Sequence, residues 1–259
     1  MRTICLHDRA TIADVLRQNA AMRLYELGDL DDFFWPSTTW YALADDVQIY
    51  ELALAYNAGD LLILLAHPTT STVNMRMLLE SIRHLLPRRF YSHLGPDLAD
   101  VLQGYSASSH GLHDKMALIN DSQLDQFDTS AVVQLRPGDQ AEVQEFYRTS
   151  YPGNWFDPRM LETGQYYGYR EQGQLLSAAG VHVYSASQRV AALGNITTHP
   201  AARGRGLATI VTARLCKELC ATVDQIGLNV RSDNQAAINC YRRLGFERIG
   251  AYEEFMFES

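Results

Sequence analysis

An apolar run that ends near Thr198, a turn holding Gly204 and Gly206, a helix from about 206 to 222 and a second apolar run at 225–230 follow one another without a break. Two extended segments joined through one helix cannot pair as a tight hairpin does. They form a βαβ crossover, in which the strands are parallel neighbours. Before it, 165–200 reads as three strands joined by turns at "EQGQ" and "SASQ", an antiparallel meander. The expectation is an α/β (α+β) fold around a mixed, mostly antiparallel sheet.

The start of the crossover helix is unusual. Helices normally begin on Ser, Thr, Asp or Asn, whose side chain caps the free N–H groups. Here "HPAARGRGLA" puts Gly204 and Gly206 where the cap should be. The uncapped N–H groups and the positive end of the helix dipole make an anion site, and glycine lets an anion approach the backbone closely. Neither the phosphate loop of nucleoside triphosphatases nor the G-x-G-x-x-G turn of dinucleotide folds is present.

The flanking segments extend the pattern. Residues 131–137 read as a strand and 140–151 as an amphipathic helix with Val143, Phe146 and Tyr147 on one side. A loop with Pro152, Gly153 and Pro158 leads to a short helix near 158–163. After the crossover come a helix at 234–245 and strands at 246–251 and 252–258. The first half has a similar order: helix 11–27, strand 38–43, a hairpin at 48–67 turning at 57–60, helix 73–86, strand 89–95 and helix 96–103. There "PTTSTVN" stands where the second half has its glycines, so a related first half would have lost its anion site. The polar, acidic stretch 120–131 marks a linker between domains at 1–125 and 126–259.

Charge separates the halves as well. Residues 1–130 carry nine Lys and Arg against seventeen Asp and Glu, and the remainder thirteen against thirteen. An acidic first half excludes a nucleic-acid partner, which would need phosphate neutralisation. The longest apolar runs are too short to cross a bilayer, and the N-terminal stretch is too acidic and interrupted for a signal peptide, so a cytoplasmic protein without a membrane partner is expected. Cys5, Cys216, Cys220 and Cys240 have no disulfide or metal spacing. His110 and His113 have no neighbouring Cys or carboxylate cluster, so no metal is expected.

A second motif joins the glycine loop. "DNQAAINCYRRLGF" at 233–246 has Asn234, Ala237, Tyr241, Leu244, Gly245 and Phe246 in the N-x-x-A-x-x-x-Y-x-x-L-G-F pattern, and Arg203, Gly206 and Ala208 fit [QR]-x-x-G-x-[GA]. In this order and frame the two resemble the GNAT superfamily of acyl-CoA-dependent N-acyltransferases. The resemblance is good over 131–259; more loosely, the whole chain is similar to two-lobed members, including glycine N-acyltransferase-like proteins, whose first lobe is degenerate. It implies acetyl-CoA or another acyl-CoA as co-substrate and a small-molecule or peptide amine as acceptor. The pyrophosphate would lie on the backbone of Arg203, Gly204, Arg205, Gly206, Leu207 and Ala208, with the two arginines adding charge. Pantetheine would fill a gap where the strand before the loop splays from its parallel neighbour, along Ile196, Thr197 and Thr198. Asn234 would reach the cofactor arm, and Tyr241 would protonate the departing thiolate. Many relatives carry a Glu base on the strand before the loop, and "RVAALGNITT" has none. His182, Tyr184 or Asn195 could instead hold a water that takes the proton. Cys240, beside Tyr241, has no His or carboxylate neighbour in sequence to activate it as a nucleophile. Protein or peptide acetylation and non-catalytic acyl-CoA binding are the alternative functions.

Overall fold

The computed structural model describes residues 1–57 and 59–259. Ala58, within the turn expected at 57–60, lies outside the described residues. In chain order the elements are β1 (Arg2–Leu6), α1 (Arg9–Arg17), α2 (Leu24–Gly28), β2 (Thr38–Ala44), β3 (Ile49–Tyr56), β4 (Leu62–Ala66), α3 (Thr72–Ile82), β5 (Arg89–Leu94) and β6 (Ser106–Leu118). There follow β7 (Val132–Gln134), α4 (Gln140–Ser150), β8 (Tyr167–Glu171), β9 (Gln174–Ser185), β10 (Val190–Thr198), α5 (Leu207–Cys220), β11 (Gln225–Arg231), α6 (Gln235–Arg243) and β12 (Phe246–Glu258). The short helices expected near 96–103 and 158–163 are 3₁₀ turns at 99–101 and 158–163.

Two compact units divide the chain. Residues 1–115, 231–233 and 250–259 form the first, and 116–230 and 234–249 the second. The parting falls before the acidic segment that composition marks as the boundary at 125/126, and the end of the last strand folds with the first unit.

In the second unit the strands run β11-β10-β9-β8-β7. All the resolved pairings are antiparallel except β10 with β11, which are parallel and joined through α5. The crossover expected from sequence is present. Its core joins Val143, Phe146 and Tyr147 of α4 to Val211, Leu215, Cys216 and Leu219 of α5 and to Ala191, Leu193, Ile226 and Leu228 of the strands. This burial, worth about 25 cal/mol per Å² of apolar surface removed from water, holds α4 and α5 against the sheet.

The first unit has strand order β1-β2-β3-β4-β5-β12-β6 and repeats the element order, with β4 and β5 parallel and joined through α3. Met75, Leu78, Leu79 and Ile82 place one stripe of α3 against Leu64, Phe90 and Leu94. By strand alternation, the face of β5 and β12 opposite Phe90, Phe255 and Phe257 carries Tyr91, His93, Tyr252 and Glu254. Tyr91 and Tyr252 hydroxyls both donate to Glu254. Arg23 pairs with Glu26 at 3.1 Å, and the Lys115 ammonium donates to the Met22 carbonyl at 2.8 Å.

This buried ionic face predicts acid lability. Burial lowers His93 to about 4 and His67 well below its usual value. Against the raising effect of burial, Glu26 is held below the usual carboxylate value by Lys115 and Arg23, and Glu254 chiefly by His93 and Tyr91. Burial, with Glu26 beside it, pushes Asp29 up, which opposes the trend. Between ~6.5 and about 4 the unfolded chain binds protons that the folded histidines refuse, so stability falls as pH drops through that window. The two glutamates extend the loss below it. Melting temperature should decline from pH 6.5 to 4.5, and His93→Gln should flatten the slope; a rise on acidification would contradict this account.

Candidate functional site

The loop before α5 begins with His199, whose Nδ1 accepts from the Ala201 N–H at 3.3 Å and starts a single 3₁₀ turn at Pro200–Ala202. Ala202 and Leu207 pack with Leu176 and pin both ends of the loop. Between them Gly204 and Gly206 adopt left-handed φ of 78° and 77°, and a Cβ built on either meets nothing within 4 Å. Gly206 is the N-cap residue of α5, with no side-chain cap bond. The first N–H groups of the helix have no carbonyl one turn back, so a 14-residue helix presents its open end to the space over the glycines.

The two arginines are placed differently from each other. Arg205 forms a bidentate pair with Glu171 of β8, at 2.7 and 3.1 Å, with both side chains 44% exposed. Arg203 turns back over the backbone, its guanidinium 3.3 Å from the Thr198 carbonyl and 3.5 Å from that of Ser150. It ties the end of β10 to the end of α4 as well as lending charge beside the loop.

Strand β10 departs from β11 just before this loop. Their parallel register runs from Val190↔Gln225 to Leu193↔Leu228 and stops, although β10 continues to Thr198 and β11 to Arg231. Ile196, Thr197 and Thr198 therefore lie beyond the last pair. On its other edge β10 stays paired with β9, through a bulge between Gly194 and Thr197. Asn195, at φ 54° and 4% exposed, sits in that bulge.

A polar network holds the bulge. The Tyr147 hydroxyl donates to the Asn195 carbonyl at 2.7 Å. Asn195 Nδ2 donates to the Trp155 carbonyl and to the Tyr166 hydroxyl, each at 3.0 Å, and its Oδ1 accepts from Asn154 at 3.3 Å. Burial pushes both phenols above their ordinary range, so they remain donors. The amide of Asn195 is thus occupied in shaping the strand. Tyr147 reads in sequence as one more member of an apolar helix face, and nothing there marks Tyr166.

On α6, Asn234 is the N-cap, its Oδ1 accepting from the Ala237 N–H at 3.2 Å. Tyr241, 8% exposed, belongs to the core cluster with its ring 6.0 Å from that of Phe246. Cys240 Sγ lies 3.2 Å from Thr209 Oγ1 on α5, and burial pushes its thiol up, which is the opposite of an activated nucleophile. Tyr184 pairs across from Ala191, within the closed part of the ladder. His182 lies nearer the opening. Among the described residues no group of three or more His, Cys, Asp or Glu could hold a metal ion, and no helix is long and apolar enough to cross a membrane.

The first unit shows what its corresponding helix end does instead. Ser71 caps α3 through the Asn74 N–H, and the Glu51 carboxylate accepts from the N–H groups of Thr69, Thr70 and Ser71 at 2.5, 2.9 and 2.8 Å and from the Thr70 hydroxyl at 2.8 Å. Glu51 is fully buried. The parallel ladder there also stays closed, from Leu62↔Phe90 to Ala66↔Leu94, and the Gly95 N–H continues it to the Ala66 carbonyl. An internal anion and a closed ladder replace the open loop and the parted strands.

Residues 132–246 match the family model described as Acetyltransferase (GNAT) family. The mycothiol acetyltransferase of Mycolicibacterium smegmatis is 36% identical over 101 residues, 36% of this chain and 31% of that protein, so the match spans about a third of the relative's length. Among solved structures, a tandem GNAT protein from the clavulanic acid biosynthesis pathway superposes with a TM-score of 0.60 at 14% identity, over 98% of this chain and 97% of its own. A Drosophila protein does so at 0.69 and 12%, over 99% and 98%, and a GNAT-family protein from Novosphingobium aromaticivorans at 0.55 and 21%, over 71% and 81%. At these identities the likeness is one of fold.

Proposed function

We propose, from the premise that residues 132–246 are an acetyltransferase domain of the GNAT family, that the second unit transfers an acetyl group from acetyl-CoA to the primary amine of a small molecule or amino acid by direct attack. The observation that carries this reading is the uncapped α5 N-terminus behind two left-handed glycines, in the loop that follows the part of β10 no longer paired with β11. Acetyl-CoA supplies an activated acyl group. The chain's part is to bind and orient it. Backbone N–H groups of the loop from Arg203 to Ala208 would hold the pyrophosphate without a cavity-filling Cβ in the way. The free edge of β10 at Ile196–Thr198 would take the pantetheine amides as a neighbouring strand would. Tyr241 would give its phenolic proton to the leaving sulfur, a phenol of reference pKa ~10 being protonated at neutral pH.

The test has two stages. Millimolar CoA should raise the melting temperature, because a ligand that binds only the folded state stabilises it. Thiol release from acetyl-CoA across a library of small amines should then identify the acceptor. No thermal shift with CoA would sink the reading, whereas a shift without turnover on any amine or peptide would leave acyl-CoA binding as the function.

The first unit should bind no CoA, so calorimetry should give one site per chain. Glu51→Ala removes the acceptor shared by the part-buried N–H groups of Thr69, Thr70 and Ser71. It should cost about 1–3 kcal/mol per group left unsatisfied, lowering the melting temperature by ~2–4 °C per kcal/mol, with Glu51→Gln intermediate. A stoichiometry of two would contradict the assignment.

A further inference from the structure

We infer that His182 is the base that deprotonates the acceptor amine; this rests on the acyl-transfer reading above and assigns a step that the sequence leaves open among three residues. Two features of the backbone bring the imidazole to the site. The register of β9 with β10 jumps from Val183↔Ala192 to Val181↔Leu193, so His182 is the extra residue of a bulge, a device that re-aims a side chain. The ring then lies against Gly194, where a built Cβ would come within 2.2 Å of Cδ2 and 2.4 Å of Nε2. Only a residue without a side chain fits beneath it.

Gly194 immediately follows Leu193, the last residue of β10 paired with β11, and precedes the bulge at Asn195. The imidazole therefore covers the apex of the parted strands. The Trp155 ring, 58% exposed as a residue, meets it edge-on at 5.9 Å from the loop after α4 and walls one side. The other two candidates are excluded by their positions: Asn195 is an amide spent on the bulge, and Tyr184 lies in the closed ladder. The phenols of Tyr147 and Tyr166 donate to backbone carbonyls. Of these groups the imidazole alone carries a ring nitrogen that can take up a proton as a base.

The protons balance. The alkylammonium nitrogen gives up two in all as its bond to the acyl carbon forms and the carbon–sulfur bond breaks. One passes to His182 and then to solvent; the other restores Tyr241 after that phenol has protonated the sulfur.

Two nucleophiles separate a base from a merely structural histidine. An alkylamine, the best acceptor found for the parent, arrives protonated; hydroxylamine arrives neutral at pH 7 and needs no base. His182→Gln should lose roughly 10²–10⁴-fold in turnover of the alkylamine, retain hydroxylamine turnover within about threefold, and keep the CoA-induced thermal shift. Gly194→Ala, which displaces the ring, should reproduce the selective loss. Independently of turnover, the ¹⁵N resonances of the His182 ring, assigned by their disappearance in His182→Gln, should move when the alkylamine is added to the CoA-loaded protein. Equal losses on both nucleophiles, no loss on either, or a ring that ignores the amine would overturn the assignment. A failed CoA thermal shift in the parent would instead overturn the reading beneath it.

Discussion

Gly206→Asp is expected to abolish the CoA-induced rise in melting temperature while leaving the protein folded. Gly206 sits at φ 77°, a region in which aspartate is among the least penalised residues that carry a side chain. Its carboxylate at the N-cap would accept from the first N–H groups of α5, as side-chain caps do. The substitution would thus do in the second unit what Glu51 does in the first, filling the helix end with an internal anion. An arriving phosphate would then find its donors taken and a negative charge in their place. A hundredfold loss of affinity is about 2.7 kcal/mol, which is also the stabilisation that a ligand at 100 times its Kd confers and that the variant should lack. Gly206→Ala is the informative control. It carries the conformational strain and a Cβ without the charge, so it should lower the melting temperature of the free protein and weaken the CoA response less than aspartate does. If both variants respond to CoA as the parent does, the anion is bound elsewhere.

How far the sequence disclosed this arrangement depended on whether the determining contacts were local. The crossover was legible because periodicity changes at Gly204–Gly206 and returns at 225–230, and the structure keeps β10, α5 and β11 there. Glu51 was not legible. Inside "IYELALAY" it reads as one polar residue of a strand, and its partners are 18 to 20 positions away. The two final strands expected to part between Ala251 and Tyr252 are one, β12, which runs unbroken from Phe246 to Glu258; within it Gly250 lies where a built Cβ would come within 2.6 Å of Met22. The helix expected over 11–27 is interrupted between Arg17 and Leu24, where Arg23 is drawn inward to Glu26, Thr69 and the His67 carbonyl. Strand β6 begins with "SASSHG", too polar to read as a strand by composition, and its order in the sheet is set by neighbours distant in sequence. At the candidate site the residue types were readable, but the bulges at His182 and Asn195 that aim them were not.

Tyr241→Phe should leave the fold and CoA binding nearly intact and lower turnover by roughly 10²–10⁴-fold, the contribution of a positioned general acid. Tyr241 and Asn234 are seven residues apart, almost two turns at 3.6 residues each, so they project from nearly the same side of α6. Asn234 stays at the rim as the helix cap, while Tyr241 is 8% exposed against Phe246 and the core. Phenylalanine retains the ring, and with it the packing that a core aromatic contributes. What it lacks is the hydroxyl, so the sulfur must leave as a bare thiolate or take its proton from water. The deficit should therefore fall on kcat with little change in CoA affinity, because the phenol's proton is needed as the bond to sulfur breaks and not when CoA binds. Acceptors that depart least from neutrality should feel it as strongly as basic ones, in contrast to the selective loss expected at His182. Measuring CoA affinity, melting temperature and turnover on the same preparation separates the possibilities. A fall in all three would make Tyr241 a packing residue, and unchanged turnover would remove it from the chemistry.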